Sequence, residues 1–283
     1  MIEKGEKELL KKNKSLLLIV LIISMFFTGC SYIDKANIWL KLKNQDFEYL
    51  KDGNVEEIVI QSTRDAGFRF IVTDKSTIKD LYSLLSSGKI VEEKSNLEPD
   101  YIFEIYQSSE KIHVFNYVAG ISGNEGNFYN DEKIYRVNKR LDNDIISNMS
   151  YLRKPRDFND IYYGSILSVL SEYGSEINPE SKEIGINLSE DLDCAKYILS
   201  ADLEDFKYDL KNTMDSGVLI NRNNKEYPLV LTVKTDGYKT NIYKSILTLH
   251  NNEDASEKEY YVRGDHENGS WNIKVFNEKP SDW

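Results

Sequence analysis

The first thirty residues determine where the rest of this chain must fold. Lys11, Lys12 and Lys14 precede an apolar run from Leu16 to Phe27, which is followed by Thr28-Gly29-Cys30. A basic stretch, a short apolar run and small residues, in this order, are typical of a secretory signal. A membrane-spanning helix needs about 20 apolar residues, so the run is too short to cross a bilayer. We therefore expect the chain after this segment to fold outside the cytoplasm.

The end of this segment, Phe27-Thr28-Gly29-Cys30, resembles the lipobox of bacterial lipoproteins, with Phe27 in the place where Leu is usual. The resemblance implies a diacylglycerol on the thiol of Cys30 and cleavage just before it, so that residues 1–29 form a signal peptide. Two or more acyl chains hold a protein stably on a membrane. We expect a lipid-anchored protein on the outer side of the cell membrane; the alternative is an uncleaved signal anchor with an unused cysteine.

Charge and cysteine content exclude several kinds of function. The net charge is −11, and residues 1–29 contribute five lysines against three glutamates, so the remaining chain is more acidic still. An acidic surface argues against a nucleic-acid partner. Besides Cys30 the chain has only Cys194, which excludes an intrachain disulfide framework and a cysteine cluster for zinc. We expect Cys194 to be a small buried hydrophobic residue.

Hydrophobic periodicity predicts an α+β fold with two domains. We expect a tether at residues 30–53, a first domain at 54–152 and a second at 157–283, each an antiparallel sheet with helices packed on one face. In the first domain, residues 57–61 and 68–72 resemble a hairpin, and apolar residues at helical spacing predict a helix between Asp74 and Gly88. Further elements are expected as strands at 101–106, 111–118 and 133–137, a glycine-rich loop at 120–126 and a helix at 142–152.

Three stretches of the first domain carry a second resemblance. Residues 58–62, the helix with Leu81 and Leu85, and Glu98-Pro99-Asp100-Tyr101 resemble the YhfM-like domain of small Bacillus-type lipoproteins, over about residues 54–152. The resemblance implies the location and the extent of this domain. It brings no catalytic residues to assign.

The second domain is predicted to open with a helix over 157–174 and to close with a β-meander. A strand at 183–188 and a helix from Leu203 to Met214 are expected between them. The meander strands are expected at 228–235, 238–249, 259–263 and 271–276. Asp236-Gly237 and Asn268-Gly269 are typical of two-residue hairpin turns, which need positive φ angles.

One short motif raises the possibility of an enzyme. Ser76-Thr77-Ile78-Lys79 matches the Ser-x-x-Lys of penicillin-recognising serine enzymes, and Lys234-Thr235-Asp236 follows on a predicted strand. The Ser-Asp-Asn element is missing, however, and Asp236 stands where the third motif has glycine. We expect Ser76 to lie at a helix N-terminus and Lys79 to be solvated.

No metal site is apparent from the sequence. The three histidines, His113, His250 and His266, are far apart and have no metal-ligand partner at short spacing. The acidic groups at residues 190–193 and 202–205 lack the spacing of a calcium loop. We expect them to be solvated faces, and we expect no cofactor.

The strand tyrosines provide a candidate recognition surface. Exposed aromatic residues bind glycans or peptides, but half-buried strands favour tyrosine as well, and we expect mainly a structural role. The strand tyrosines are Tyr101, Tyr106, Tyr117, Tyr135, Tyr238, Tyr243, Tyr260 and Tyr261.

Together these features favour a binding or scaffolding module anchored through Cys30, with a cell-wall component or an envelope protein as partner. The alternative is a cell-envelope hydrolase whose site is assembled from residues distant in sequence. A third possibility is a spacer that holds another molecule away from the membrane.

Overall fold

The computed structural model describes residues 43–51, 53–122, 125–138, 141, 154–221 and 224–283. They form two units, each built on one β-sheet, and the predicted α+β fold is confirmed. The first unit, residues 43–141, has a seven-stranded sheet in the order β2-β1-β4-β5-β6-β7-β3. Its elements are α1 (Glu48–Lys51), β1 (Glu57–Ser62), β2 (Arg69–Val72), α2 (Lys75–Ser86), β3 (Lys89–Val91), β4 (Tyr101–Ser108), β5 (Lys111–Ser122), β6 (Glu125–Tyr129) and β7 (Ile134–Asn138).

The second unit, residues 154–283, has a six-stranded sheet in the order β13-β12-β11-β10-β8-β9. Single 3-10 turns lie at Ala195–Tyr197 and Asn224–Glu226. The helices and strands are α3 (Phe158–Ile177), β8 (Ile184–Asn187), α4 (Ser200–Thr213), β9 (Gly217–Ile220), β10 (Leu229–Lys239), β11 (Ile242–Asn251), β12 (Glu257–Glu267) and β13 (Ser270–Phe276).

Every strand pair of the first sheet is antiparallel, and β10 to β13 form the predicted antiparallel meander. The second sheet differs from the expectation at its other side, because β8 runs parallel to both β10 and β9. The chain leaves β8, passes through α4 and returns as β9. A crossover of this kind makes the two strands parallel.

Helix α2 has the predicted amphipathic pattern. Ile78, Leu81, Tyr82 and Leu85 are buried against the first sheet at spacings of three and four residues. The Asp74 side chain accepts a hydrogen bond from the Thr77 backbone N–H at 2.8 Å, as expected of an N-cap. Local sequence therefore determines both the position of this helix and the face that it buries.

The glycine-rich loop predicted at 120–126 is wrong at both ends. Strand β5 continues to Ser122, and Gly126 lies in β6, a strand that the sequence pattern did not indicate. A side chain at Gly126 would come within 3 Å of the Tyr117 ring and of the Val118 carbonyl. A glycine is needed at this position because the two strands approach closely. A glycine in the sequence can indicate either such an approach or a loop, so the residue type alone does not separate the two.

Of the two predicted hairpin turns, Asn268-Gly269 is confirmed and Asp236-Gly237 is wrong. Asn268 and Gly269 have φ angles of 53° and 85° and join β12 to β13. Asp236 and Gly237 lie inside β10, where the register with β11 shifts between Thr235 and Gly237. The positive φ of Gly237, 141°, belongs to a β-bulge rather than to the turn.

The first core includes residues that precede β1. Phe47 and Leu50 are fully buried in it, and Asp46 accepts a hydrogen bond from the Tyr135 hydroxyl at 2.9 Å. The folded part thus begins before residue 54, within the stretch expected to be a tether. The predicted signal peptide, Cys30 and the predicted helix at 142–152 lie outside the described residues. No helix in the described part of the chain is long and apolar enough to cross a membrane.

Candidate binding cleft between the two sheets

The segment from Leu188 to Leu199, between β8 and α4, belongs to the second unit and contacts the first. Most of it is buried, and Leu199 packs into the core of the first unit although it belongs to the second. Helix α4 begins directly after it at Ser200 and lies against α3 and β9. The start of α4 is therefore fixed against the first sheet.

The carboxylate of Asp100, at the start of β4, organises this contact. One oxygen, Oδ1, accepts hydrogen bonds from the Ser200 backbone N–H and from Arg64 Nη1, both at 2.7 Å. The other, Oδ2, accepts one from the Ala119 backbone N–H at 2.8 Å. Burial raises the pKa of Asp100, whereas the Ala119 N–H, the Arg64 guanidinium and the Ser200 N–H act to lower it.

Asp100 also completes the N-terminus of α4. The N-cap residue, Leu199, has no side chain that can accept a hydrogen bond from the first turn. The first N–H groups of a helix need acceptors, and a carboxylate is favoured there by the helix dipole. A residue of the first unit thus caps a helix of the second, one hundred positions further along the chain.

Ser200 makes two further contacts across the boundary. Its hydroxyl donates to the Glu98 carbonyl at 2.7 Å and accepts from Arg64 Nη2 at 2.5 Å. Arg64 is held between Asp100 and Ser200 and is about one-fifth exposed. The guanidinium therefore has fixed neighbours on both sides while part of it faces solvent.

Beside this contact lies a cleft of about 560 Å³ with walls from both units. The first unit contributes residues 63–64 and 96–98. The second contributes the residues after β8, one face of α4 and the end of β9. The apolar lining consists of Leu97, Leu188, Ala195, Ile198, Leu203, Leu219 and Ile220, and the polar lining of Thr63, Arg64, Asn96, Glu98, Ser189, Ser200, Glu204, Lys207 and Asn221.

The face of α4 towards the cleft carries one apolar and three polar residues. Ser200, Leu203, Glu204 and Lys207 follow at spacings of three and four residues. Lys207 Nζ lies 2.5 Å from Glu204 Oε1, so these two exposed charges form an ion pair at the rim. Apolar floor and polar rim together are typical of a ligand-binding cleft.

Asp191 is buried next to the cleft and is hydrogen-bonded to Ala195, one of the lining residues. Its Oδ2 accepts a hydrogen bond from the Thr235 hydroxyl at 2.7 Å, and its carbonyl accepts the Cys194 and Ala195 N–H groups. Asp191 is 1% exposed, so the expectation of a solvated acidic face is wrong for this residue. Burial raises the pKa of Asp191, and the hydrogen bonds of Thr235 oppose the shift. The neighbouring sequence predicts a solvated side chain because nothing in it shows that Thr235 faces Asp191.

Cys194 is buried beside the same threonine, as the sequence predicted, with its Sγ 3.2 Å from Thr235 Oγ1. Burial, reinforced by the charge of Asp191, raises the pKa of the Cys194 thiol to about 12. Since only the thiolate is nucleophilic, we expect this cysteine to be unreactive in the folded protein.

The other candidate residues are not brought together in this cleft. Ser76 and Lys79 are exposed on α2 of the first unit, and Lys234 is exposed on β10 of the second. His113 stacks on Tyr49 with ring centroids 4.4 Å apart, and His250 lies 3.2 Å from Glu257. In the parts of the chain that the structure describes, no group of three or more histidine, cysteine or acidic side chains is placed to hold a metal ion.

Most of the strand tyrosines are core residues. Tyr106 and Tyr238 are half-buried. The buried ones are Tyr101, Tyr117, Tyr135, Tyr243, Tyr260 and Tyr261. The expected structural role is therefore confirmed for these six.

Comparison with known families bears on one wall of the cleft. Residues 51–155 match a family model described as YhfM protein. The resemblance noted in the sequence is thus confirmed for this segment. The YhfM segment contains the whole first sheet, with Arg64 and Asp100, and hence the first wall of the cleft, whereas α4 and β9 lie beyond it. Neither the curated proteins nor the solved structures contain a match to this chain.

Sequence reasoning missed Arg64, Asp100 and Ser200 as members of one site. Pro99-Asp100 indicated the start of a strand, and that signal was correct. Nothing local indicated a partner for the carboxylate, because Ser200 is distant in sequence.

Proposed function

We propose that this protein is a lipid-anchored binding protein of the bacterial cell surface, and that its ligand occupies the cleft between the two units. The observation that carries the proposal is the cleft itself, with an apolar floor and with walls held in place by the Asp100 contact. The lipobox at Cys30 supports the location. A wall component or an envelope protein is the expected class of partner.

The chemistry of the cleft supports binding over hydrolysis. A serine nucleophile needs an adjacent general base. The hydroxyl of Ser200 donates to the Glu98 carbonyl, and that of Ser189 donates to Asn187 Oδ1 at 2.7 Å. Neither a backbone carbonyl nor a side-chain amide oxygen acts as a general base. These two hydroxyls serve to hold the cleft walls.

Site-specific photo-cross-linking in intact cells tests the proposal. A benzophenone side chain replaces Asn221, which is exposed at the cleft, or Asn272, which is exposed on β13 as a matched control. We expect a discrete adduct from position 221 only. Absence of an adduct at 221, or equal adducts at both positions, contradicts the proposed site.

The same experiment in a Cys30→Ser chain tests the anchor. We expect the variant to leave the membrane fraction and the adduct at position 221 to be lost. If the variant stays in the membrane fraction like the parent chain, the lipid-anchor part of the proposal is wrong.

A further inference from the structure

The apolar lining of the cleft is aliphatic throughout. Its apolar side chains are leucine, isoleucine or alanine, and the described lining includes no aromatic residue, although both cores are rich in tyrosine and phenylalanine. A ligand made of flat rings gains from stacking on aromatic side chains. The lining therefore favours a ligand with a flexible aliphatic chain over a ligand made of rings.

Most polar residues of the lining are already bonded to other parts of the protein. The hydroxyls of Thr63, Ser189 and Ser200 donate to the Pro99 carbonyl, Asn187 Oδ1 and the Glu98 carbonyl, and the charges of Arg64 and Lys207 face those of Asp100 and Glu204. The remaining polar lining residues, Asn96, Glu98 and Asn221, are exposed to solvent. An uncharged chain can therefore cover the lining without leaving these bonded groups unpaired.

Three leucines of the lining are partly accessible, and they come from both walls. Leu97 belongs to the first unit, and Leu203 and Leu219 belong to the second. Each methylene group that leaves water for an apolar surface strengthens binding by up to about fourfold. The cleft, at about 560 Å³, has the volume of a small-molecule site, so several methylene groups fit between these leucines.

Anchorage at Cys30, as proposed above, keeps the cleft close to a bilayer. The chain from Cys30 to Lys43, the first residue that the structure describes, spans at most about 45 Å even when it is fully extended. Membrane lipids are the most abundant source of aliphatic chains within this distance.

We infer that the ligand of this cleft is a membrane lipid whose aliphatic chain lies between Leu97, Leu203 and Leu219. The inference rests on the proposed function and specifies its ligand. The expected wall component is then one that is linked to such a lipid. Burial of methylene groups provides the affinity, and the absence of aromatic side chains from the described lining disfavours ring-shaped competitors.

The mass of the adduct at position 221 tests the inference. The full-length chain with benzophenone at this position is irradiated in intact cells and digested, and the modified peptide is analysed by mass spectrometry. We expect the added mass to be that of a lipid with an aliphatic chain. A polypeptide or a glycan without lipid overturns the inference and leaves the binding cleft with another ligand, whereas absence of any adduct contradicts both proposals.

A pair of leucine variants separates binding in the cleft from general contact with the membrane. Leu97→Asn changes the cleft, and Leu192→Asn is the matched control, because Leu192 is 67% exposed and lies outside the lining. Circular dichroism and the midpoint of thermal unfolding establish that both variants fold. We expect the yield of the lipid adduct to fall about fivefold in Leu97→Asn and to stay unchanged in Leu192→Asn. Equal yields in the two variants overturn the inference.

Discussion

The Asp100 carboxylate accepts the backbone N–H of Ser200 at 2.7 Å, so that the first unit caps a helix of the second. The same carboxylate holds Arg64 and the Ala119 N–H, and it is almost completely buried. These bonds fix the start of α4, whose exposed face lines the cleft. The geometry of the cleft therefore depends on this one side chain.

Replacing Asp100 by alanine should destabilise the protein by about 3 kcal/mol, because the substitution leaves a partly buried guanidinium and two N–H groups without their acceptor. Urea unfolding monitored by tryptophan fluorescence measures the effect. Asp74→Ala is the matched control, since Asp74 caps α2 at the exposed surface and its loss should cost clearly less. Equal losses in the two variants would contradict the central role of Asp100.

Asp191→Asn should change how stability depends on pH. Burial raises the pKa of Asp191 in the folded protein, so the folded state keeps this proton to higher pH than the unfolded chain does. The contribution of Asp191 is then full below about pH 4, the ordinary value for the unfolded chain, and is lost as pH rises through the folded pKa. The asparagine variant should gain stability relative to the parent over that rise, as measured by urea unfolding between pH 4 and pH 8.

Asp209→Asn is the control for this experiment, because Asp209 is exposed on α4. Its effect on the free energy of unfolding should stay within about 0.5 kcal/mol. A constant difference between the parent and Asp191→Asn across the range would show that Asp191 does not titrate as expected.

Cys194 should resist alkylation in the folded protein. With its pKa raised to about 12, the buried thiol has almost no thiolate at pH 8. Iodoacetamide labelling followed by mass spectrometry of the Cys194 peptide should detect modification only after unfolding in guanidinium chloride. Rapid labelling of the folded chain at pH 8 would be incompatible with the buried site.

Gly264→Ala should destabilise the protein by about 2 kcal/mol, since its side chain would overlap Ile161 Cδ1 in the core. Ile161→Val removes that methyl group and alone should cost about 1 kcal/mol. The double variant should be more stable than the sum of the single losses indicates, by about 1 kcal/mol. Strict additivity in urea unfolding would mean that the two positions are not in contact.

Phe47→Ala should cost about 3 kcal/mol although Phe47 lies in the stretch expected to be a tether, because the ring is fully buried in the first core. Ile112→Ala, at a position 43% exposed, should cost less than about 1 kcal/mol. Urea unfolding measures both. A small effect of Phe47→Ala would place the start of the folded unit after this residue.

The sequence by itself determined the features that depend on neighbouring residues. Helix α2 with its Asp74 cap and the Asn268-Gly269 turn follow from spacing and turn chemistry within a few residues, and the existence of the four meander strands follows from their runs of strand-favouring residues. The α+β class follows from the order of these elements. The signals are local, so a single sequence contains them.

Only the tertiary structure decided which distant residues meet. Asp236-Gly237 has the composition of a turn but forms a bulge, because the pairing of β10 with β11 continues past it. Asp191 is acidic but buried, because Thr235 of β10 faces it and donates a hydrogen bond to its carboxylate. The cleft exists because Asp100 meets Ser200, one hundred residues away, and no local preference encodes a contact that depends on the packing of two sheets.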